Sequence, residues 1–172
     1  GYLYNYHLEN GKLSQLNAGF ATNNNNDHVI SFDGSLLAIS HHYEEYDGES
    51  TIYTLPIEGS DNPKQVTQSG LGPSYLHGIS PDNKTVLFTG NRNGQYDIYA
   101  ADTETMQETQ LTNTPGLDDG SEYSHDGKYI YFNSNRTGTM QIWRMNADGS
   151  NKEQLTFDKN THDWFPHISP NG

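Results

Sequence analysis

Three short patterns recur in register along this chain, roughly every 45 residues, and a repeat of that length commits a sequence to a small set of architectures. One pattern runs Ile30-Ser31-Phe32-Asp33-Gly34, Ile79-Ser80-Pro81-Asp82-Asn83, Tyr123-Ser124-His125-Asp126-Gly127 and Ile168-Ser169-Pro170-Asn171-Gly172, with serines 49, 44 and 45 residues apart. Leu3-Tyr4, Ile52-Tyr53, Ile98-Tyr99 and Ile142-Trp143 form a second column, spaced 49, 46 and 44. A third column holds Leu16, Val66, Leu111 and Leu155, followed by Thr in its last three members. Chance does not keep three columns in step, so the chain is built from structural repeats.

Within each unit the residues alternate as short strands do. The Ser-x-Asp-Gly pattern reads as a turn, its side-chain oxygens holding the backbone that follows. Alternating runs come next, Leu36 to Ser40, Thr85 to Thr89 and Tyr129 to Ser134, and the last two lead into Gly-containing turns at Asn91 to Gly94 and Asn135 to Gly138. The Ile-aromatic pair lies on a third strand. A further turn, at Glu9 to Gly11, Glu58-Gly59 or Ala147 to Gly149, leads to a fourth strand that ends at the Leu or Val column. Four antiparallel strands per repeat define a blade, and the fold class is an all-β propeller. No stretch has helical periodicity. The hydrophobic fraction, 31%, is low, but 12 Tyr, 6 Phe and 2 Trp supply the large apolar faces that packed sheets need.

The repeat also sets the organisation. Residues 20–71, 72–116 and 117–160 read as whole blades, 1–19 as the last two strands of another, and 161–172 as the start of a next one. Three blades fall short of the roughly four to eight that close a ring. The expectation is a segment of a larger ring, in preference to one whose ends meet in a composite blade. Unpaired strand edges at both ends would invite pairing between chains, so self-association of the isolated segment is expected.

Residues 79–99 run from Ile-Ser-Pro-Asp-Asn through Gly-Asn-Arg-Asn-Gly to Asp-Ile-Tyr, and residues 123–143 from Tyr-Ser-His-Asp-Gly through Ser-Asn-Arg-Thr-Gly to Gln-Ile-Trp. Both resemble the WD40-like PD40 repeat of TolB-type propellers, and Gln-Leu-Thr at 110–112 and 154–156 resembles that repeat's last strand. The chain departs from the pattern at Phe32 and His125, where the family has Pro, at Asn83 and Asn171, and at His41 to Gly48, which replaces the Asn-Arg turn. The resemblance implies a ring of six or seven four-stranded blades. TolB itself is a periplasmic, non-catalytic propeller that binds a peptidoglycan-associated lipoprotein and carries an additional α/β domain, of which these residues show no trace. Fold analogy does not carry a partner across. The compartment therefore stays open between periplasm and cytoplasm.

In a propeller the first strand of each blade lines the central channel, and the loop leading into it forms one rim of the disc. Polar and bulky residues concentrate in those expected loops, at Asn23 to His28, Ser74 to Gly78, Leu117 to Glu122 and Thr161 to His167. Divergence of several repeats on one rim is how propellers build sites. The candidate ligand-binding residues are Asp27, His28, Tyr75, His77, Asp119, His162, Asp163, Trp164 and His167. His28, His77 and His167 are also candidate ligands for a divalent metal such as Mn, Zn or Ca, although the same imidazoles serve equally as hydrogen-bonding groups between blades. Strand parity puts His28 and His167 on opposite faces, which weighs against a simple triad. Tyr75, Trp164 and Phe165 would either stack on a sugar or wedge blades together.

Several function classes are excluded. With 9 Lys plus Arg against 22 Asp plus Glu, a net charge of -13, the chain lacks the basic clusters that nucleic acid requires. No apolar run is long enough to span a membrane, no cysteine offers a thiolate, and no Gly-x-Ser-x-Gly elbow offers a serine nucleophile. Glu44, Glu45, Asp47 and Glu49 make one dense acidic loop, solvated or open to a basic partner. Two readings remain. The leading one is a non-enzymatic scaffold that binds a protein or small ligand on its channel-mouth rim without a cofactor. The alternative is a metal-assisted carbohydrate-active enzyme, resembling oligogalacturonate-lyase propellers, in which channel histidines hold the metal.

Overall fold

The computed structural model describes residues 1–169; the end of the fourth turn pattern, Pro170 to Gly172, lies outside the described residues. Strands β1 (Tyr4–His7) and β2 (Lys12–Gln15) pair antiparallel as a two-stranded sheet. Three four-stranded antiparallel sheets follow. The first contains β3 (Asn24–Ile30), β4 (Leu36–Tyr43), β5 (Glu49–Pro56) and β6 (Lys64–Gln65). The second contains β7 (Ser74–Ile79), β8 (Thr85–Arg92), β9 (Gln95–Asp102) and β10 (Glu108–Gln110), and the third β11 (Asp118–Tyr123), β12 (Tyr129–Ser134), β13 (Gln141–Asn146) and β14 (Glu153–Gln154). Each sheet meanders in chain order from its first strand outward, and β3, β7 and β11 neighbour one another at the inner edge. One turn of 3-10 helix, Glu44–Tyr46, is the only helix among the described residues and sits where the first blade departs from the repeat.

Repetition in the sequence is repetition of hydrogen bonds. Ser31, Ser80 and Ser124 each donate from Oγ to the aspartate two residues on, at 2.7, 2.6 and 2.7 Å. Each hydroxyl also accepts the N–H of the first residue of the next strand, Leu36, Thr85 or Tyr129, at 2.9, 2.9 and 3.0 Å. The Ser80 hydroxyl and the Lys84 N–H hold the Asp82 carboxyl below its usual range. The Thr after the third column acts in the same way. Thr67, Thr112 and Thr156 accept the N–H of Ile52, Ile98 and Ile142 through Oγ1, each at 2.9 Å. These groups satisfy backbone donors that the short fourth strands leave open. Ser80→Ala is expected to lower stability by about 1–2 kcal/mol in urea unfolding, because the Thr85 N–H loses its partner.

Strand alternation distributes the apolar residues to both faces of the first two four-stranded sheets, so each of these blades packs on two neighbours. On β4, Leu37 and Ile39 pack with Leu16, Ala18 and Ala21, while Ala38 faces the second blade with Ile52, Val66, Leu76, Val86 and Phe88. On β8, Val86 and Phe88 face the first blade, and Leu87 faces Ile130, Phe132 and Met145 of the third. The Asn-Arg turns are braced internally. Arg92 pairs with Glu108 at 3.1 Å over the rings of Phe88 and Tyr99, and Arg136 pairs with Asp118 at 2.9 Å over Phe132 and Trp143.

Candidate functional site

Three segments expected to be loops are instead parts of the innermost strands β3, β7 and β11. Each carries an irregularity at a comparable place. Asn24 and His28 pair with His41 and Ile39, so Asn25, Asn26 and Asp27 oppose Ser40 alone. His77 is an extra residue between Leu76 and Gly78, whose partners Phe88 and Leu87 are adjacent, and Gly120 and Ser121 oppose Phe132 alone. Extra residues interrupt the period of two, which is why these stretches do not read as strands, and a bulge re-aims the side chains it carries. His28 lies past the bulge in regular pairing with Ile39, and His167 lies outside every strand, so strand parity does not relate the two; both border one cleft.

The bulges build a cleft of about 480 Å³ across all three blades. Asn25, Asn26, Asp27 and His42 come from the first blade, Tyr75, His77, Thr89 and Tyr96 from the second, and Leu117 and Asp119 from the third, with Phe165 closing one side. His77 Nε2 lies 2.8 Å from Asp119 Oδ1. Thr89 Oγ1 donates to the same oxygen at 2.8 Å. The Phe165 ring lies 5.8 Å from that of His77, tilted by 32°, and Tyr75 lies 6.4 Å from Tyr96. Phe165 sits at φ 49, in the left-handed region that bulky residues avoid, held by its N–H on Asn133 Oδ1 at 3.0 Å. Strain of that kind accumulates at functional sites.

The two carboxylates are held differently. Burial by itself raises Asp119, yet His77, the Thr89 hydroxyl and the Gly120 N–H outweigh it and leave the group below the usual range. At Asp27 burial wins, with the charge of Asp119 adding to it, over the opposing effects of His77, Asn25 and His28, and the carboxyl is pushed up. Burial, Tyr96 and Asp27 likewise push up the Tyr75 phenol. An acid whose pKa is higher folded than unfolded disfavours folding once pH exceeds its unfolded value, and fully so above its folded value. Asp27→Asn is therefore expected to raise the melting temperature at pH 7, with the gain vanishing at pH 3 where both states are protonated; calorimetry at the two pH values checks this.

Of the sequence-derived candidates, Asp27, Tyr75, His77 and Asp119 share the cleft. His28 and His167 border a second cleft of about 430 Å³ together with His77 and Glu122. There His28 Nδ1 meets the Asn26 carbonyl at 3.0 Å, and His167 Nδ1, on a side chain 84% exposed, meets Glu122 Oε2 at 2.8 Å. Among the described residues no three His, Asp or Glu side chains gather closely enough to hold a metal ion, so the candidate histidine triad is not assembled. His162 and Asp163 serve the backbone of Met140, by Nδ1 and N–H respectively, and Trp164 packs on Phe165 outside both clefts. Tyr96 and Thr89 were not legible as site residues. Tyr96 carried one signal, an aromatic ring at the repeat position where the third blade has Met140.

Four-stranded antiparallel blades set side by side around the inner strands make this chain a β-propeller protein. Residues 47–172 match the TolB β-propeller domain family (PD40), and the chain belongs to that family. It is 48% identical over 158 residues to the uncharacterized protein Atu1656 of Agrobacterium fabrum, covering 92% of this chain and 52% of that protein. A solved structure of a TolB candidate from Agrobacterium tumefaciens, 48% identical, superposes with a TM-score of 0.90 over 100% of this chain and 60% of its own. TolB from Acinetobacter baumannii, 22% identical, shares the fold with a TM-score of 0.72 over 90% of this chain and 37% of its own. The chain thus spans about half the length of the curated relative it matches. No helix among the described residues is long and apolar enough to cross a membrane.

Proposed function

We propose that this chain is a non-enzymatic binding scaffold whose channel-mouth rim receives a protein or small ligand. The observation that carries the reading is the division of labour within the repeat. Recurring Ser, Asp, Thr and Arg side chains are consumed by turns and braces, whereas the residues that differ between blades, Asp27, His77 and Asp119, meet in one cleft. A half-buried cleft with aromatic walls and a few polar groups is the usual form of a ligand site.

A displayed library of random heptapeptides supplies the test. Clones selected on the wild-type chain are expected to be lost on Tyr75→Ala and retained on Arg144→Ala, a distant surface change. Retention of every clone on Tyr75→Ala would remove the rim from consideration. Incubation with uronate oligosaccharides addresses the enzymatic alternative: stoichiometric bound metal together with sugar cleavage would overturn the scaffold reading.

A further inference from the structure

We infer that the rim cleft takes an organic cation, the guanidinium or ammonium group of an arginine or lysine side chain, seated between Asp27 and Asp119 with the Tyr75 and Tyr96 rings beside it. The inference rests on the binding reading above and names its ligand.

The first argument is charge. Two carboxylates line the cleft and no Lys or Arg does. Elsewhere, carboxylates that close a blade's turn bring their own guanidinium, Asp118 with Arg136 and Glu108 with Arg92. At the rim, Asp119 has the Thr89 hydroxyl and the His77 ring at 2.8 Å, and Asp27 has neighbouring Asn25 and more distant imidazoles. Taking a carboxylate partly out of water without a cation is unfavourable, and burial does raise Asp27. A ligand cation removes that penalty; a neutral sugar leaves it in place.

The second argument is the wall. Tyr75, Tyr96 and Phe165 line the same space. Cations are attracted to aromatic faces, and a planar guanidinium stacks on a ring while donating to carboxylates. This chain already builds that arrangement three times, with Arg92 centred 5.4 Å from the Phe88 ring, Arg136 4.8 Å from Trp143 and Arg144 4.5 Å from Tyr129. A bare divalent ion fits less well, because no three ligating side chains gather among the described residues and aromatic walls supply none.

Calorimetric and NMR titration of the whole chain tests the inference with defined probes: the peptide acetyl-Gly-Arg-Gly-amide, its citrulline counterpart, and free agmatine. Saturable binding of the arginine peptide that shifts the Tyr75 and Tyr96 ring signals is expected. The citrulline peptide, neutral but nearly isosteric, should bind at least about tenfold more weakly, as should the arginine peptide to Asp27→Asn. The melting temperature of Asp27→Asn serves as its folding control. Agmatine matching the arginine peptide supports a free amine as the source of the cation, and a clear preference for the peptide supports a protein-borne side chain. Equal binding of arginine and citrulline, an unchanged affinity in Asp27→Asn, or no binding of either cation up to about 10 mM would overturn the inference. In those cases, neutral peptides from the library that still depend on Tyr75 would leave the rim reading standing, whereas peptides indifferent to Tyr75 would remove that as well.

Discussion

Arg136→Met is expected to lower the free energy of unfolding by about 3–5 kcal/mol, seen as a large fall in the urea midpoint at an unchanged slope. The guanidinium bonds both oxygens of Asp118, at 3.0 and 2.9 Å, from a position only 11% exposed, and the Asp118 side chain is 1% exposed. Methionine keeps most of the stem over Phe132 and Trp143, so the loss measures an uncompensated buried charge more than lost packing. Asp118→Asn in the same chain should recover a good part of the loss, since the stranded charge is then gone. The exposed pair Arg144 to Glu153, although only 2.6 Å long, makes the contrast: Arg144→Met should leave the urea midpoint nearly unchanged, because water and salt screen the pair.

Gly120→Ala is the second large effect, and it joins stability to the site. Gly120 sits at φ +60 in the β11 bulge, where an added Cβ would stand 2.4 Å from Asn133 Oδ1 and 2.6 Å from the Phe165 ring. The left-handed backbone and the overlap together should destabilise by roughly 2–5 kcal/mol. The overlap falls on the group that anchors the Phe165 N–H, so the ring that closes the cleft must move. Loss of the ring contact between Phe165 and His77 in NMR spectra, at a temperature where the variant is still folded, would report it. An unchanged Phe165 environment would show that the bulge does not set the rim.

How much of this was legible follows from which interactions are local. The turns were readable because Ser80, Asp82 and Thr85 lie within six residues of one another, so their pattern recurs wherever the turn does. The guanidinium braces were not, since Arg92 and Glu108 stand 16 residues apart and Arg136 and Asp118 18 apart, on different strands of the blade. The bulges were not, since a bulge is a mismatch between two strands and has no signature in either one alone. That is why the inner strands looked like loops.

The amino-acid order alone determined the blade: strand count, turn chemistry and the two apolar faces of each sheet are properties of residues close along the chain, and the repeat restates them each time. Only the tertiary structure decided the site. Asp27, His77 and Asp119 are brought together by the fan of the blades and by register slips between strands, and a charge or a ring acquires its chemistry from neighbours tens of residues away.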